Sequence, residues 1–220
     1  MKYVSVVGIS NTTKSRARIL EAAKACLRRH GSDRLTVTDV ARSLGMSHAN
    51  VYRFFKSKSD ILDAIIDEWL TLLESFIEEI AARPLPAAKR IELVVVDLHR
   101  KRKQKLLEDA EVFETFKRVV ELRPELMAQR RARITAMFRR LLEKGMETGE
   151  FKKLDAEAVA VALKDATALF LHPFLIPTIL SENTEARAQK VVQYLLAGFL
   201  AEKSVLRKAS NGKPKRSRRS

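Results

Sequence analysis

Apolar residues recur three and four positions apart along most of the chain, which is the spacing of one face of an α-helix. The first series predicts a helix from about Lys14 to His30, ended by Gly31. A wider stripe predicts a long helix from Lys58 to about Ala82. Later series predict helices over these segments: around 91–106, 112–120, 126–147, 156–171 and 185–205. With only 7 Gly and 6 Pro in 220 residues, the chain is predicted to be all-α.

A pattern of caps and turns follows the first helix. Thr36 stands ahead of a short apolar face that begins at Val37, where its hydroxyl can accept from a free first-turn N–H. Gly45 follows as the helix stop, a position that often needs positive φ. Ser47 then caps a second short helix that ends at Phe55. Two short helices joined in this way predict a helix-turn-helix, which places its second helix in the DNA major groove.

The second helix of this motif carries the candidate base-reading residues. With its apolar residues facing inward, it directs His48, Ala49, Asn50 and Arg53 outward. Arg53 can donate two hydrogen bonds to guanine, and Asn50 can pair with adenine. His48 and Ala49 lie near the helix start, where side chains meet base edges. The alternative for Arg53 is an ordinary solvated charge on a short exposed helix.

Positive charge is concentrated at the two ends of the sequence. The formal net charge is +15. Residues 1–58 hold 12 Lys and Arg against 3 Asp and Glu, and residues 207–220 hold 7 Lys and Arg with no acid. Residues 59–206 are balanced, with 23 basic and 24 acidic side chains. This polarised charge favours binding to phosphate at one end of a two-part molecule.

The composition and the helical pattern together predict a linear domain organisation. Residues 1–13 are expected to form a disordered arm and residues 14–58 a helix-turn-helix DNA-binding domain. Residues 59–206 are expected to form a second helical domain, and residues 207–220 a disordered basic tail. The tail can add affinity for DNA without sequence preference, or have no role.

The sequence resembles the TetR (tetracycline-repressor-like) family of transcriptional regulators. The resemblance rests on these segments: Ser15 to Ala23, Gly31, Thr36 to Ala41, Gly45 to Ser47, Tyr52 to Phe55, and Ser57 with Lys58. It implies an all-α fold, in which a three-helix DNA-binding domain is joined by a long fourth helix to a domain for effector binding and dimerisation. It also implies that Thr38, Tyr52 and Lys58 bind backbone phosphate. The caps Thr36 and Ser47 complete the predicted DNA-binding set.

The last two predicted helices are candidates for a dimer surface. The helix over 156–171 is apolar around most of its girth, so more than one side must be buried. The resemblance implies that both helices build a four-helix bundle with a partner subunit. The predicted interface residues are Val161, Leu169, Val192, Leu195 and Phe199. The alternative is a core formed within one subunit.

The resemblance also implies a cavity for a small effector in the second domain. Candidate lining residues are His99, Phe113, Phe116, Met137, Phe138, Asp165 and Phe170. The alternative for each aromatic or Met is plain core packing. Asp165 interrupts an apolar stretch, and a buried acid needs a partner. That partner can be a base of the same chain, a residue across the dimer, or a cationic ligand.

Other classes of function find little support in the sequence. No apolar run is long enough to span a membrane, and no signal peptide is evident, so we expect a cytoplasmic protein. No Gly-rich phosphate loop, metal-ligand spacing or catalytic pair is present, so we expect neither an enzyme nor a metal or cofactor site. We expect a homodimeric repressor that leaves a palindromic DNA operator when an effector binds. The alternative is a basic architectural protein without sequence preference.

Overall fold

The computed structural model describes the backbone of residues 6–180 and 183–201, with side chains from Thr12 onward. The helices of this part of the chain are α1 (Val6–Arg34), α2 (Val37–Ser43), α3 (His48–Tyr52), α4 (Lys58–Ala81), α5 (Ala87–Glu108), α6 (Ala110–Leu122), α7 (Pro124–Glu147), α8 (Ala156–Ala166), α9 (Ala168–Leu171) and α10 (Thr184–Ala197). A short 3-10 helix spans Ile176–Ile179. The all-α prediction is confirmed, and no described helix is long and apolar enough to cross a membrane.

Helix α1 begins earlier than the sequence predicts, and Gly31 breaks it at the predicted position. Helix α1 begins at Val6, so residues 6–13 of the expected disordered arm are helical. No proline interrupts the amide hydrogen bonds of this segment. Gly31 has φ +76° and ψ 166°, which breaks the helix at the predicted position, and one further turn follows it. The first residues of the arm and the predicted basic tail lie outside the described residues.

The helices at the end of the chain are shorter than predicted. The helix expected over 156–171 is interrupted at Thr167, which has φ −96° and ψ 4° and separates α8 from α9. The last helix ends at Ala197, whereas the prediction extended it to Val205. After Gly198 the chain leaves the helix, because the Phe199 carbonyl accepts from the Lys152 amide at 3.0 Å. Leu200 then forms an isolated antiparallel bridge with Phe151.

The chain folds into two compact units, and each is discontinuous in sequence. The first unit contains the chain up to Glu74 together with Lys103–Pro124, and the second contains Ser75–Arg102 together with the chain from Glu125. In the first unit α1 packs against both α2 and α6. The helix-turn-helix therefore shares its unit with α6, although α6 lies in the predicted second domain. The linear division at residue 58 stays a prediction.

Each unit has its own apolar core. In the first unit Ile19, Leu27 and Ile66 are fully buried. In the second, Val96, Phe170 and Ala188 form a buried cluster from three helices. Burial of this much apolar surface is the dominant favourable contribution to folding of each unit.

Candidate nucleic-acid interface

The helix-turn-helix is built by the caps that the sequence predicts. The Thr36 hydroxyl accepts from the Asp39 amide at 3.1 Å and donates to the Asp39 carboxylate at 2.5 Å. This contact with Thr36 lowers the pKa of Asp39. The Ser47 hydroxyl accepts from the Asn50 amide at 3.3 Å and so caps α3. Gly45 has φ +62° in the turn between the helices, where a side chain would be strained.

Helix α3 has one buried face and one exposed face. Val51 is fully buried, and Phe55, just after the helix, is 3% exposed. The Arg16 guanidinium lies 5.0 Å from the centre of the Phe55 ring and covers it from α1. Since α3 has only five residues, these anchors fix its orientation on the first unit.

The exposed face carries the predicted base-reading residues. His48, Ala49, Asn50 and Arg53 are all exposed, as the sequence predicts. Tyr52 is also exposed, at 47% of its surface. Exposure on a short helix behind a tight turn is the arrangement that allows side chains to reach base edges and phosphates.

Two of these side chains are already engaged with one another and with α2. The Thr38 hydroxyl shares a hydrogen bond of 2.5 Å with Nε2 of His48. The His48 ring meets the Tyr52 ring edge to face, with centroids 5.6 Å apart and planes at 87°. The structure therefore joins Thr38 of α2 to His48 of α3, and His48 to Tyr52. The sequence predicted each of the three as a DNA-binding residue but did not indicate these contacts.

Lys58 has a structural role at the start of α4. Its ammonium group donates to the Asp33 carbonyl at 2.7 Å, which satisfies an acceptor in the last turn before α2. The ammonium retains two further protons, so phosphate binding is still possible. The first turn of α4 is closed by Ser57 and Asp60, which exchange hydrogen bonds of 3.0 and 3.1 Å.

Helix α6 supports α1 through charged contacts that the sequence reading missed. Asp109 is 7% exposed, and its Oδ2 accepts from Arg28 Nε at 3.1 Å and Nη2 at 2.8 Å. This pairing raises the pKa of Arg28. Arg118 of α6 donates to the Asp33 carboxylate at 2.8 Å and lowers its pKa. Pairs 81 and 85 residues apart leave no periodic signal in the sequence.

The structure brings predicted pocket residues together in two pairs, one within each unit: Phe113 with Phe116, and His99 with Phe170. Phe113 and Phe116 belong to the first unit, where Phe116 meets Trp69 edge to face with centroids 5.1 Å apart. Met137, Phe138 and Phe170 belong to the second unit. All five are at most 3% exposed. Two surface hollows of the first unit, of about 210 and 380 Å³, are lined by other residues.

The two predicted polar residues of the pocket, His99 and Asp165, differ in burial. His99 is fully buried, with Nδ1 2.8 Å from the Phe170 carbonyl and Nε2 2.7 Å from the Thr184 hydroxyl. Asp165 was expected to be a buried acid, and this was wrong. Its side chain is 65% exposed and lies 3.1 Å from the Lys164 ammonium. Because α8 turns this position outward within one chain, the carboxylate pairs with its neighbour Lys164.

The predicted dimer residues differ in their accessibility within one chain. Val161 of α8 is 37% exposed, whereas Leu169, Leu195 and Phe199 are half-buried. Val192 is fully buried, so its side chain cannot reach a partner subunit. The exposed residues around Val161 along α8 are small or acidic: Glu157, Ala158, Ala162, Asp165 and Ala166.

Across residues 6–180 and 183–201, no group of three or more His, Cys, Asp or Glu side chains could hold a metal ion.

Two family models match the chain. Residues 19–65 match the bacterial regulatory proteins of the tetR family, and residues 87–192 match a tetracyclin repressor-like C-terminal domain. A curated relative is the uncharacterized HTH-type transcriptional regulator YfiR of Bacillus subtilis (strain 168). It is 31% identical over 148 residues, which cover 63% of this chain and 69% of the relative.

Solved structures of similar fold come from several bacteria. A TetR/AcrR-family regulator from Thermobifida fusca is 23% identical with a TM-score of 0.65, over 84% of this chain and 98% of that one. FadR from Bacillus subtilis, solved in complex with stearoyl-CoA, is 19% identical with a TM-score of 0.61, over 83% and 98%. A tetR-family protein from Rhodococcus RHA1 is 25% identical with a TM-score of 0.57, over 86% and 98%.

Proposed function

Because this chain belongs to the TetR family of transcriptional regulators, we propose that it is a homodimeric repressor of a palindromic operator, released by a small, largely hydrophobic effector. The observation that carries the proposal is the orientation of α3. Val51 is fully buried, while Asn50 and Arg53 are exposed on the opposite face. A helix that buries its apolar side and presents an amide and a guanidinium outward can read adenine and guanine.

The proposed roles divide between sequence reading and positioning. Asn50, Arg53 and Ala49 are proposed to contact base edges, with Ala49 against a thymine methyl group. Thr38, Tyr52 and Lys58 are proposed to contact backbone phosphates, which fixes the register without carrying sequence information. The caps Thr36 and Ser47 use their hydroxyl groups within the helices, so we propose that they act by orienting α2 and α3.

Two features support a dimer formed by α8 and α10. The exposed side of α8 combines Val161 with small residues, which permits close approach of another helix. On α10, Tyr194 is 77% exposed, and Leu195 beside it is half-buried. One short recognition helix reads few base pairs, so two copies about one DNA turn apart supply the specificity.

Two observations support a largely hydrophobic effector. The second unit is rich in buried apolar side chains, among them Met137, Phe138 and Phe170. FadR of similar fold was solved with stearoyl-CoA, which carries a long acyl chain. We therefore propose an effector with a substantial apolar part.

Selection of bound DNA from a random duplex pool at near-physiological salt tests this function. We expect a palindrome whose half-sites are about one turn apart. A pool that stays random, with binding that falls steeply as salt rises, would support the architectural alternative instead.

Replacement of Arg53 by Ala tests the reading of one base pair. Loss of the two guanidinium hydrogen bonds is expected to cost roughly 1–3 kcal/mol on the selected operator and to relax preference at one position per half-site. Competition binding with operators changed at single base pairs measures both effects. Lys56→Ala, an exposed basic residue outside the proposed base contacts, is the control and should leave the preference unchanged. An unchanged preference in Arg53→Ala would remove Arg53 from the readout.

A further inference from the structure

His48 lies between two side chains that are proposed to contact phosphate. Its Nε2 is 2.5 Å from the hydroxyl of Thr38 on α2, and its ring meets the ring of Tyr52, one turn further along α3. All three side chains are exposed. The contacts therefore link the two helices of the motif on the surface that faces DNA.

We propose that His48 is a positioning residue that holds Thr38 and Tyr52 for phosphate binding, and that it does not read a base. The proposal rests on the DNA-binding function proposed above. An exposed Thr or Tyr side chain loses rotamer freedom when it binds, which weakens binding. Because His48 already restricts Thr38 and Tyr52, these side chains lose less rotamer freedom when DNA binds. The resulting gain in affinity applies to any DNA sequence.

The Thr38 hydroxyl has a single proton, and this limits which hydrogen bonds it can make with His48 and phosphate together. A phosphate oxygen only accepts hydrogen bonds, and a hydroxyl has one proton to donate. Thr38 can donate to phosphate only if His48 Nε2 carries a proton and donates to the Thr38 oxygen. In that arrangement the N–H of His48 at Nε2 is used within the protein, and it is not available as a donor to guanine.

The edge-to-face contact with Tyr52 adds a second constraint. A perpendicular ring pair at 5.6 Å is a favourable aromatic geometry, and it limits the swing of the phenol ring. The phenol hydroxyl is then held on the side of α3 from which a phosphate is proposed to approach. Sequence reading is left to Ala49, Asn50 and Arg53.

Three variants separate the two contacts of His48. His48→Phe keeps a ring against Tyr52 and removes the hydrogen bond, and Thr38→Val removes the same bond from the other side. His48→Gln keeps a polar group that can bond Thr38. Each is measured by fluorescence anisotropy at fixed salt on the selected operator, on operators with one base pair changed, and on random duplex DNA. Circular dichroism melting confirms that each variant is folded.

We expect His48→Phe to weaken binding about tenfold on operator and random DNA alike, so that the preference among base pairs is unchanged. Thr38→Val should weaken binding at least as much, because it removes both the link and the proposed phosphate donor. The double variant should bind no more weakly than Thr38→Val, because that variant already removes everything that His48 supports through Thr38. His48→Gln should recover most of the loss. Asn50→Ala is the matched comparison, since loss of a base contact should relax one position.

Two results would overturn the proposal. If His48→Phe relaxes preference at one base pair, His48 reads a base. If the double variant loses the product of the two single losses, Thr38 and His48 act independently. Should His48→Phe fail to fold, Thr38→Val together with His48→Gln tests the same bond. A wild-type protein that selects no sequence would instead refute the proposed function, which is a separate outcome.

Discussion

His99 shows how a single buried residue takes a role that its sequence position does not reveal. It is fully buried, and the Phe170 carbonyl, which can only accept, requires the proton on Nδ1. Nε2 then pairs with the Thr184 hydroxyl. These partners lie 71 and 85 residues away, so the sequence showed only a polar residue on an apolar helix.

Replacement of His99 by Phe tests this structural role. The new ring has a similar volume, but the Phe170 carbonyl and the Thr184 hydroxyl lose their hydrogen bonds to the imidazole. We expect the free energy of unfolding to fall by about 1–3 kcal/mol. Urea unfolding measures the change. His48→Phe, the same substitution at an exposed site, is expected to stay within about 0.5 kcal/mol of wild type. Equal stabilities for wild type and His99→Phe would refute the core role.

At the scale of helices, α5 and α10 are joined by a buried carboxylate. Glu92 is 7% exposed, and Gln189 and Gln193 of α10 donate to its two oxygens at 3.0 and 2.9 Å. Lys89 contacts the same carboxylate. Burial alone would raise the pKa of Glu92, but the bonds from Lys89 and the two Gln residues outweigh it and lower the pKa.

The lowered pKa of Glu92 predicts a pH dependence of stability. A carboxyl group whose pKa is lower in the folded state stabilises the fold above its unfolded pKa, and this contribution is lost as pH falls through the folded pKa. We therefore expect Glu92→Gln to be less stable than wild type at pH 7 and the difference to shrink below about pH 4. Urea unfolding at pH 7 and below about pH 4 measures the difference in the free energy of unfolding between the two proteins. Glu147→Gln, at an exposed pair with Lys144, should differ little from wild type at either pH. A constant difference for Glu92→Gln would contradict the prediction.

Helices α1 and α6 are held by two ion pairs that differ in burial. The Asp109 side chain is 6% exposed beside Arg28, whereas the Asp33 side chain is 81% exposed beside Arg118. Loss of a charged partner costs more where the remaining charge is buried.

Arg28→Ala and Arg118→Ala are therefore a matched pair on the same two helices. We expect Arg28→Ala to lower the free energy of unfolding by about 1–3 kcal/mol, because Asp109 stays buried and keeps the longer contact of 3.5 Å with Lys105 in place of the shorter one with Arg28. Arg118→Ala should cost less than about 1 kcal/mol, and less again at high salt. Thermal and urea unfolding at two salt concentrations compare them. The reverse ranking would show that burial does not decide the strength of these pairs.

At the scale of the whole molecule, the proposed dimer uses the exposed side of α8. Val161 is exposed at the centre of the small residues of α8. We expect Val161→Glu to give folded monomers with weak operator binding, since a charge buried without a partner opposes association. Analytical ultracentrifugation measures the mass. Leu107→Glu places the same charge on a residue that is 65% exposed and outside this surface, and it should assemble like wild type. A dimeric Val161→Glu protein would place the interface elsewhere.

The sequence predicted features that depend on nearby residues and missed those that depend on distant ones. The caps at Thr36 and Ser47 and the turn at Gly45 were predictable because their partners lie within four residues. Gly145 lies in the last turn of α7, where a methyl group would come within 2.2 Å of the Phe151 ring, and the sequence did not indicate this close packing. The exposure of Asp165 was missed because the apolar residues around it suggested burial on every side of its helix.

The discontinuity of the two units has a consequence for synthesis on the ribosome. The first unit lacks α6 until residue 124 has been made, because Lys103–Pro124 belongs to it. Until then the face of α1 that α6 covers, with Arg28 and Gly31, meets water or a chaperone. The second unit is closed later still, when the Ala201 amide reaches the Glu150 carbonyl at 3.0 Å. Helices α2 and α3 are synthesised before α6, so the unit that supports them is completed only after residue 124 has been translated.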